Sequence, residues 1–287
     1  MRFTLAAALA GAAMFAASPA AAQETTEVAP FSGFYIGAAG GYDVQPNDDG
    51  SSILFDRGID GRFGDTVTTA AGANAFGGTV GGFCNGKATA GTGPGNTTAS
   101  APCRNDKDGA AYYVRAGFDN QMGNVVVGVV GEFGRSEIND SVTAFSTTPA
   151  SYTMYRELDW EASIRGRAGL AFGTGLFYVT GGPSYARINR AFSTTNTQNA
   201  FALRGDRTQF GITGGGGVEK KLGRNFSVGL EYMFHRYNDD DFRARATQGT
   251  AVATNPFVLN AAAGTDFRRS DPKFRWHSMR ATAAFRF

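Results

Sequence analysis

Residues 158–187 read LDWEASIRGRAGLAFGTGLFYVTGGPSYAR, and alternate residues in this stretch fall into two sets. Trp160, Ile164, Ala168 and Leu170 share one face, and Glu161, Ser163, Arg165 and Arg167 share the other. After the Gly-Thr-Gly joint at 173–175, Phe177, Val179 and Tyr185 oppose Tyr178, Thr180 and Ser184. A period of two marks strands, and a short Gly-rich joint marks the tight turn of a hairpin. Pro183 falls inside the second strand and predicts a bulge or a strand end nearby, because proline cannot donate to a ladder.

The same period recurs in segments 33–42, 111–119, 125–135, 158–172, 176–187, 209–220, 226–237 and 274–287. The joints between them are 43–110, 120–124, 136–157, 173–175, 188–208, 221–225 and 238–273. Long and short joints alternate without exception. Four long loops on one side and tight turns on the other are the pattern of an outer-membrane β-barrel. One face of the segments carries Arg115, Glu132, Glu161, Arg165, Arg167, Glu219, Glu231, Arg280 and Arg286; the other is aromatic, aliphatic or small. In hydrocarbon every backbone polar group must be paired, so the sheet must close on itself. The expected fold is therefore all-β: an eight-stranded antiparallel up-and-down transmembrane barrel, apolar outward and charged inward. An eight-stranded interior is mostly filled by side chains, and charges there are tolerable only if they pair. The alternative is a soluble lipocalin-like barrel with the faces reversed.

Composition agrees with this reading. The chain has 287 residues with 40 Gly and 24 Phe, but only 2 Cys, 2 His and 2 Trp, and its net charge is +2. The near-neutral balance argues against a nucleic-acid partner, and two cysteines exclude zinc fingers and iron–sulfur clusters. No cofactor is expected.

The N-terminus, MRFTLAAALAGAAMFAASPAAAQ, has one basic residue, an apolar run and a small-residue cleavage pattern. Residues 1–22 read as a cleaved signal peptide, 23–32 as a short periplasmic segment, and 33–287 as the barrel; an N-terminal membrane anchor is the alternative for the first stretch. No later run of about 18 apolar residues suggests a membrane helix. Export makes a Cys84–Cys103 disulfide the favoured reading over two free thiols; such a bridge would contribute roughly 3 kcal/mol through the loop it closes.

The segments GFYIGAAGGY (33–42), SIRGRAGLAF (163–172), LFYVTGGPSYA (176–186), GGGVEKKL (215–222), SVGLEYMF (227–234) and HSMRATAAFRF (277–287) together resemble the small outer-membrane β-barrel proteins. This "porin family" group includes bacterial surface antigens and is similar to the membrane domain of OmpA. The resemblance implies an outer-membrane location in a Gram-negative bacterium, an eight-stranded barrel and no catalysis. The long first loop with its cysteines departs from that pattern.

Other signals are weaker. Asp56, Asp60 and Asp65 with Gly61 are spaced partly like a calcium loop, but position 12 is Val67 rather than the bidentate Glu, so an acidic solvated turn is expected. The run Asp239-Asp240-Asp241 reads as a solvated loop, with divalent bridging to lipopolysaccharide phosphates as the alternative. His235 and His277 fall near the extracellular strand ends. His277 and Ser278 are adjacent and so point to opposite faces, which does not suit a lipid-facing catalytic pair. The expected role is a non-catalytic, surface-exposed envelope protein; a narrow porin-like channel and loop-mediated surface binding or adhesion are the alternatives. The expected partners are outer-membrane lipid, lipopolysaccharide and the outer-membrane assembly machinery, which would read the terminal Phe287. Phe287→Ala should lower the outer-membrane level of the protein more than a loop substitution of equal size, measured as the heat-modifiable band in fractionated membranes; normal levels would remove the terminal-signal idea.

Overall fold

The computed structural model describes residues 31–46, 50–78, 81–84, 106–148 and 150–287. The signal segment 1–22, most of 23–32, and Cys103 lie outside the described residues. All regular elements described are strands. They are β1 (Gly33–Val44), β2 (Ile53–Arg57), β3 (Gly82–Cys84), β4 (Gly109–Met122), β5 (Val125–Ser136), β6 (Asn139–Ser146) and β7 (Ala150–Phe172), followed by β8 (Gly175–Thr194), β9 (Ala200–Arg204), β10 (Thr208–Lys221), β11 (Phe226–Asn238), β12 (Arg243–Thr247), β13 (Thr265–Arg269) and β14 (Lys273–Arg286).

Eight of these close a ring. β1 pairs with β4, β4 with β5, β5 with β7, β7 with β8, β8 with β10, β10 with β11, β11 with β14, and β14 with β1, all antiparallel. No edge is left, as a lipid-exposed sheet requires. The tight turns fall at one end. In the β7–β8 turn Gly173 has φ 58°, a left-handed conformation that glycine adopts without a Cβ penalty.

The faces are inverted relative to a soluble barrel. Ile164, Val179 and Phe210 are 65%, 65% and 76% exposed, while Arg165 between the strands is 0% exposed. A lipocalin-like arrangement would reverse this. Glycine lets the interior fill closely: a Cβ on Gly128 would collide with Asp119 Oδ1 on the neighbouring strand.

The extracellular side departs from the expectation of loops. β7 and β8 run 23 and 20 residues, well past the apolar band; above the barrel β7 also pairs with β6, and β6 with β3. A second, four-stranded sheet in the order β2-β13-β12-β9 is assembled from the first, fourth and third long connections. The two sheets sandwich a core of Ile53, Phe55, Phe76, Tyr152, Phe257 and Phe267, with smaller apolar residues around it. Aromatic rings meet at centroid distances of 4.4 Å (Phe55–Phe76), 5.0 Å (Phe55–Phe267) and 5.4 Å (Tyr152–Phe257). Such burial is worth roughly 2 kcal/mol or more per large side chain, enough to order five-residue strands that cannot stand alone. Much of the phenylalanine therefore serves this head, in addition to the lipid-facing surface.

Pro183 stays within β8, opposite Ile212 of β10. On its β7 side the ladder skips from Ser163↔Ser184 to Gly166↔Gly181. The register shift lies on the neighbouring strand, between Leu158 and Trp160. That bulge flips the parity of β7, so Leu158 and Glu161 both turn inward.

Candidate functional site: the barrel interior and its mouth

The interior is a stack of layers, each supplied by strands that alternate inward and outward. At the periplasmic end Phe31, Val126, Ala171, Leu176 and Tyr178 form an apolar base. Phe31 is held there by its N–H donating to Gln121 Oε1 at 2.6 Å.

Above the base, Asp119, Arg167, Glu219 and Arg286 form a neutral quartet. Arg286 Nη2 donates to Asp119 Oδ2 at 2.9 Å and to Glu219 Oε1 at 2.8 Å. Arg167 donates to the same Asp119 oxygen at 3.1 Å and to Glu219. The Arg167 and Arg286 guanidiniums also lie over the Tyr35 ring at 5.9 and 4.6 Å.

The next layer gathers Arg115, Arg165 and Arg280 around Glu132 and Glu231. Arg165 binds Glu132 in bidentate fashion at 3.2 and 3.1 Å. Arg115 donates to Glu231 Oε1 at 3.1 Å. Arg280 donates through Nε to Glu231 at 2.9 Å, with Nη1 2.9 Å from Glu132 Oε1. Tyr178 donates its hydroxyl to Glu231 at 3.0 Å. The ninth charge singled out in the sequence, Glu161, lies one level higher, 3.0 Å from His235 Nδ1.

An apolar plug then closes the mouth: Ile138, Leu158, Ala186, Ile188, Tyr237, Phe274 and Trp276. Trp276 is 0% exposed and stacks on His235 at 4.7 Å and 4°. On top of the plug, Arg156, Arg190 and Arg269 meet Asp140, Asp239 and Asp241. Arg156 Nε donates to Asp140 at 2.6 Å, Arg269 donates to the other Asp140 oxygen, and Arg190 binds Asp239 and lies 2.9 Å from Asp241. Asp239 is thus a buried anchor between head and barrel and not part of a solvated run; Arg156 and Arg190 supply its compensation.

Both oxygens of Asp56 accept backbone N–H groups, from Asp60 at 3.0 Å and Gly61 at 2.9 Å, and Asp65 accepts from the Arg57 N–H at 2.7 Å. These carboxylates brace the turn after β2. His277 lies on the outer face, its Nδ1 2.6 Å from the Tyr232 hydroxyl, on the opposite side of the wall from His235. Cys84 is in a disulfide at the edge of the head. Phe287 donates its N–H to the Phe34 carbonyl at 2.9 Å, beside the β1–β14 closure. Asp43, Asp119, Tyr35 and Tyr113 also face the interior, although the charge pattern of the sequence did not single them out. Asp119 has the same strand parity as Arg115, and that parity is the signal that marks it.

A closed, lipid-faced barrel of eight strands with periplasmic turns defines an outer-membrane protein. The family described as "Outer membrane protein beta-barrel domain" matches residues 66–254, and the chain belongs to it; its location is the outer membrane of a Gram-negative bacterium. It is similar to the 31 kDa outer-membrane immunogenic protein of Brucella melitensis, 28% identical over 123 residues, which cover 42% of this chain and 51% of that one. It is also similar to a 22 kDa outer membrane protein of Rhizobium leguminosarum, 29% identical over 129 residues, covering 45% and 53%. The chain thus spans about half the length of these relatives. Among solved structures it resembles OprG of Pseudomonas aeruginosa, with a TM-score of 0.45, 12% identity, and coverage of 89% of this chain and 96% of that one. That likeness is distant, and the fold rests on the strand pairing above.

Two outcomes follow from the charge layers. Arg280→Ala leaves Glu132 and Glu231 short of a partner in a water-poor interior and should cost about 3–5 kcal/mol, read as the urea midpoint of the protein folded in detergent micelles. At the head–barrel junction, burial alone would raise the Asp140 carboxyl, but Arg156 and Arg269 override it and hold it below the usual carboxylate value. A depressed value stabilises the fold above the unfolded pKa of about 3.9 and is lost as pH falls through the folded one. Near-UV circular dichroism of the head should stay constant from pH 7 to about 4 and collapse only below that. Asp140→Asn should lower stability at pH 7 and flatten the acid limb.

Proposed function

We propose that the protein is a non-catalytic and non-conducting surface protein of the outer membrane, in which the barrel anchors a folded extracellular head. The observation that carries this reading is the filling of the barrel along its whole length. Apolar clusters close both ends, and the arginines between them are held by carboxylates from facing walls. A charged interior would favour a narrow channel if the charges lined a lumen; here they meet across it. The relative named for its immunogenicity supports surface exposure of the head.

Absence of catalysis is supported by the placement of the two histidines. His235 is fully buried beneath Trp276, and His277 lies against Tyr232 on the lipid side. Neither faces a cleft that could admit a substrate together with a water. Surface binding or adhesion is the role a folded, exposed domain is suited to. The described part of the first long connection contributes Val67, Ala75 and Phe76 to the core of the head.

Purified protein reconstituted in planar bilayers should give no discrete, reproducible openings at any applied voltage tolerated by the membrane. Openings of uniform size that scale with the amount of protein would instead establish the channel reading.

A further inference from the structure

The outer face of the four-stranded head sheet holds two cross-strand rows of very different character. In one row Arg245 of β12 is paired with Asp266 of β13 at 2.6 and 2.8 Å, so charge is balanced. In the next row towards the barrel, Arg204 of β9 lies directly opposite Arg243 of β12. The register Ala244↔Phe267 then sets Arg268 of β13 opposite Arg243 on its other side. Directly opposed residues on a sheet face have Cβ atoms about 5 Å apart, and like charges there repel. Among the described residues none of these three arginines has a carboxylate at ion-pair distance, and the Nε–H groups of Arg243 and Arg268 have no hydrogen-bond partner. What holds two of them is the Phe63 ring, with guanidinium carbons at 4.2 Å (Arg268) and 5.2 Å (Arg243). The opposed like charges of such a row cost the fold free energy, and an anion laid across it would offset that cost.

The position of the row identifies the anion. β9 leads into β10, β12 follows β11, and β13 leads into β14, so this sheet rises from the β10-β11-β14 wall. Its inner face packs on the head core, and its outer face continues the lipid-facing side of that wall. Arg204 precedes Thr208 by four residues and Arg268 precedes Lys273 by five. At about 3.3 Å per residue the row stands within roughly 17 Å of the strand ends. Just below it, Arg236 and Arg275 are again opposed across β11 and β14, with only a 3.5 Å pair from Arg275 to Asp271. Beside them a shallow groove of about 330 Å³ is lined by Phe210, Gly211, Ile212, Arg236, Asn238 and Lys273. From membrane to exterior this wall therefore presents apolar side chains, then cations, then a further row of cations, all facing sideways.

We propose that this strip is a docking site for one outer-leaflet lipopolysaccharide molecule. Its acyl chains lie against Phe210 and Ile212, its proximal phosphates meet Arg236 and Lys273, and the anionic groups of its inner sugars meet Arg204, Arg243 and Arg268. A sideways-facing strip that is apolar below and cationic above matches an amphiphile standing in the same leaflet. A soluble polyanion arriving from outside would have no use for the apolar part.

The test measures binding of purified lipopolysaccharide, its dephosphorylated form, and a soluble sulfated polymer (heparin) to the full chain folded in detergent micelles, at low and high salt. The variants are Arg204→Gln/Arg243→Gln/Arg268→Gln and, as a control in the exposed turn between β10 and β11, Arg224→Gln. Each cation beside an anionic lipid surface contributes a modest and salt-sensitive attraction. The triple variant should therefore bind phosphorylated lipopolysaccharide at least about ten-fold more weakly, while Arg224→Gln binds as the wild type does. Because the substitutions relieve like-charge contacts, the melting temperature without lipopolysaccharide should stay level or rise. If the triple variant gives no heat-modifiable band, Arg236→Gln/Lys273→Gln carries the same expectation at the rim. A folded triple variant, or that rim pair in its place, with wild-type affinity for lipopolysaccharide would overturn the proposal. So would a loss confined to heparin, which would assign the row to a soluble polyanion.

Discussion

Hydrocarbon offers no partner to a peptide N–H or carbonyl, and everything else in this structure follows from that. The sheet must close, so eight strands meet in a ring with β14 returning to β1. Closure turns the strand alternation inside out: the apolar set faces lipid and the polar set is enclosed. With so few strands the enclosed volume is narrow, and arginine and glutamate side chains from opposite walls reach one another. The charges inside are thus consequences of the membrane environment as much as of any function they serve.

Enclosed charge must be neutralised where it stands, because an unpaired ion in such an interior costs several kcal/mol. The barrel meets this with layers. Two arginines face two carboxylates near the base, three face two in the middle, and Glu161 with His235 lies above. Apolar clusters seal the stack at both ends. The same logic continues past the mouth, where Arg156, Arg190 and Arg269 meet Asp140 and Asp239 and tie the head to the barrel. The head is in this sense an extension of the barrel's interior, capped by an ordinary hydrophobic core.

Much of this is legible in the sequence, and the limits have physical causes. Period-two alternation with long and short joints by turns is enough for the barrel, because each membrane strand must repeat its pattern over about ten residues. Strand parity alone places Arg115, Arg165 and Glu231 inside, and Asp119 follows the same parity. The head is not legible. Its strands β2, β9, β12 and β13 are five residues each, too short to show a period. Its pairings join distant segments, such as Phe55 with Phe267, and nothing local announces them. Asp239 looks like part of an acidic loop because the arginines that bury it, Arg156 and Arg190, come from other strands. Pro183 points to an irregularity, but the bulge forms across the ladder at Leu158–Trp160, where β7 absorbs the extra residue.

Head and barrel form one continuous folded body, joined through β7 and β8. Hydrogen–deuterium exchange of the protein in lipid bilayers tests this most directly. Amides of β6, β12 and β13 should be protected for times comparable to the upper parts of β7 and β8. Exchange of those strands within seconds, as for open loops, would contradict it.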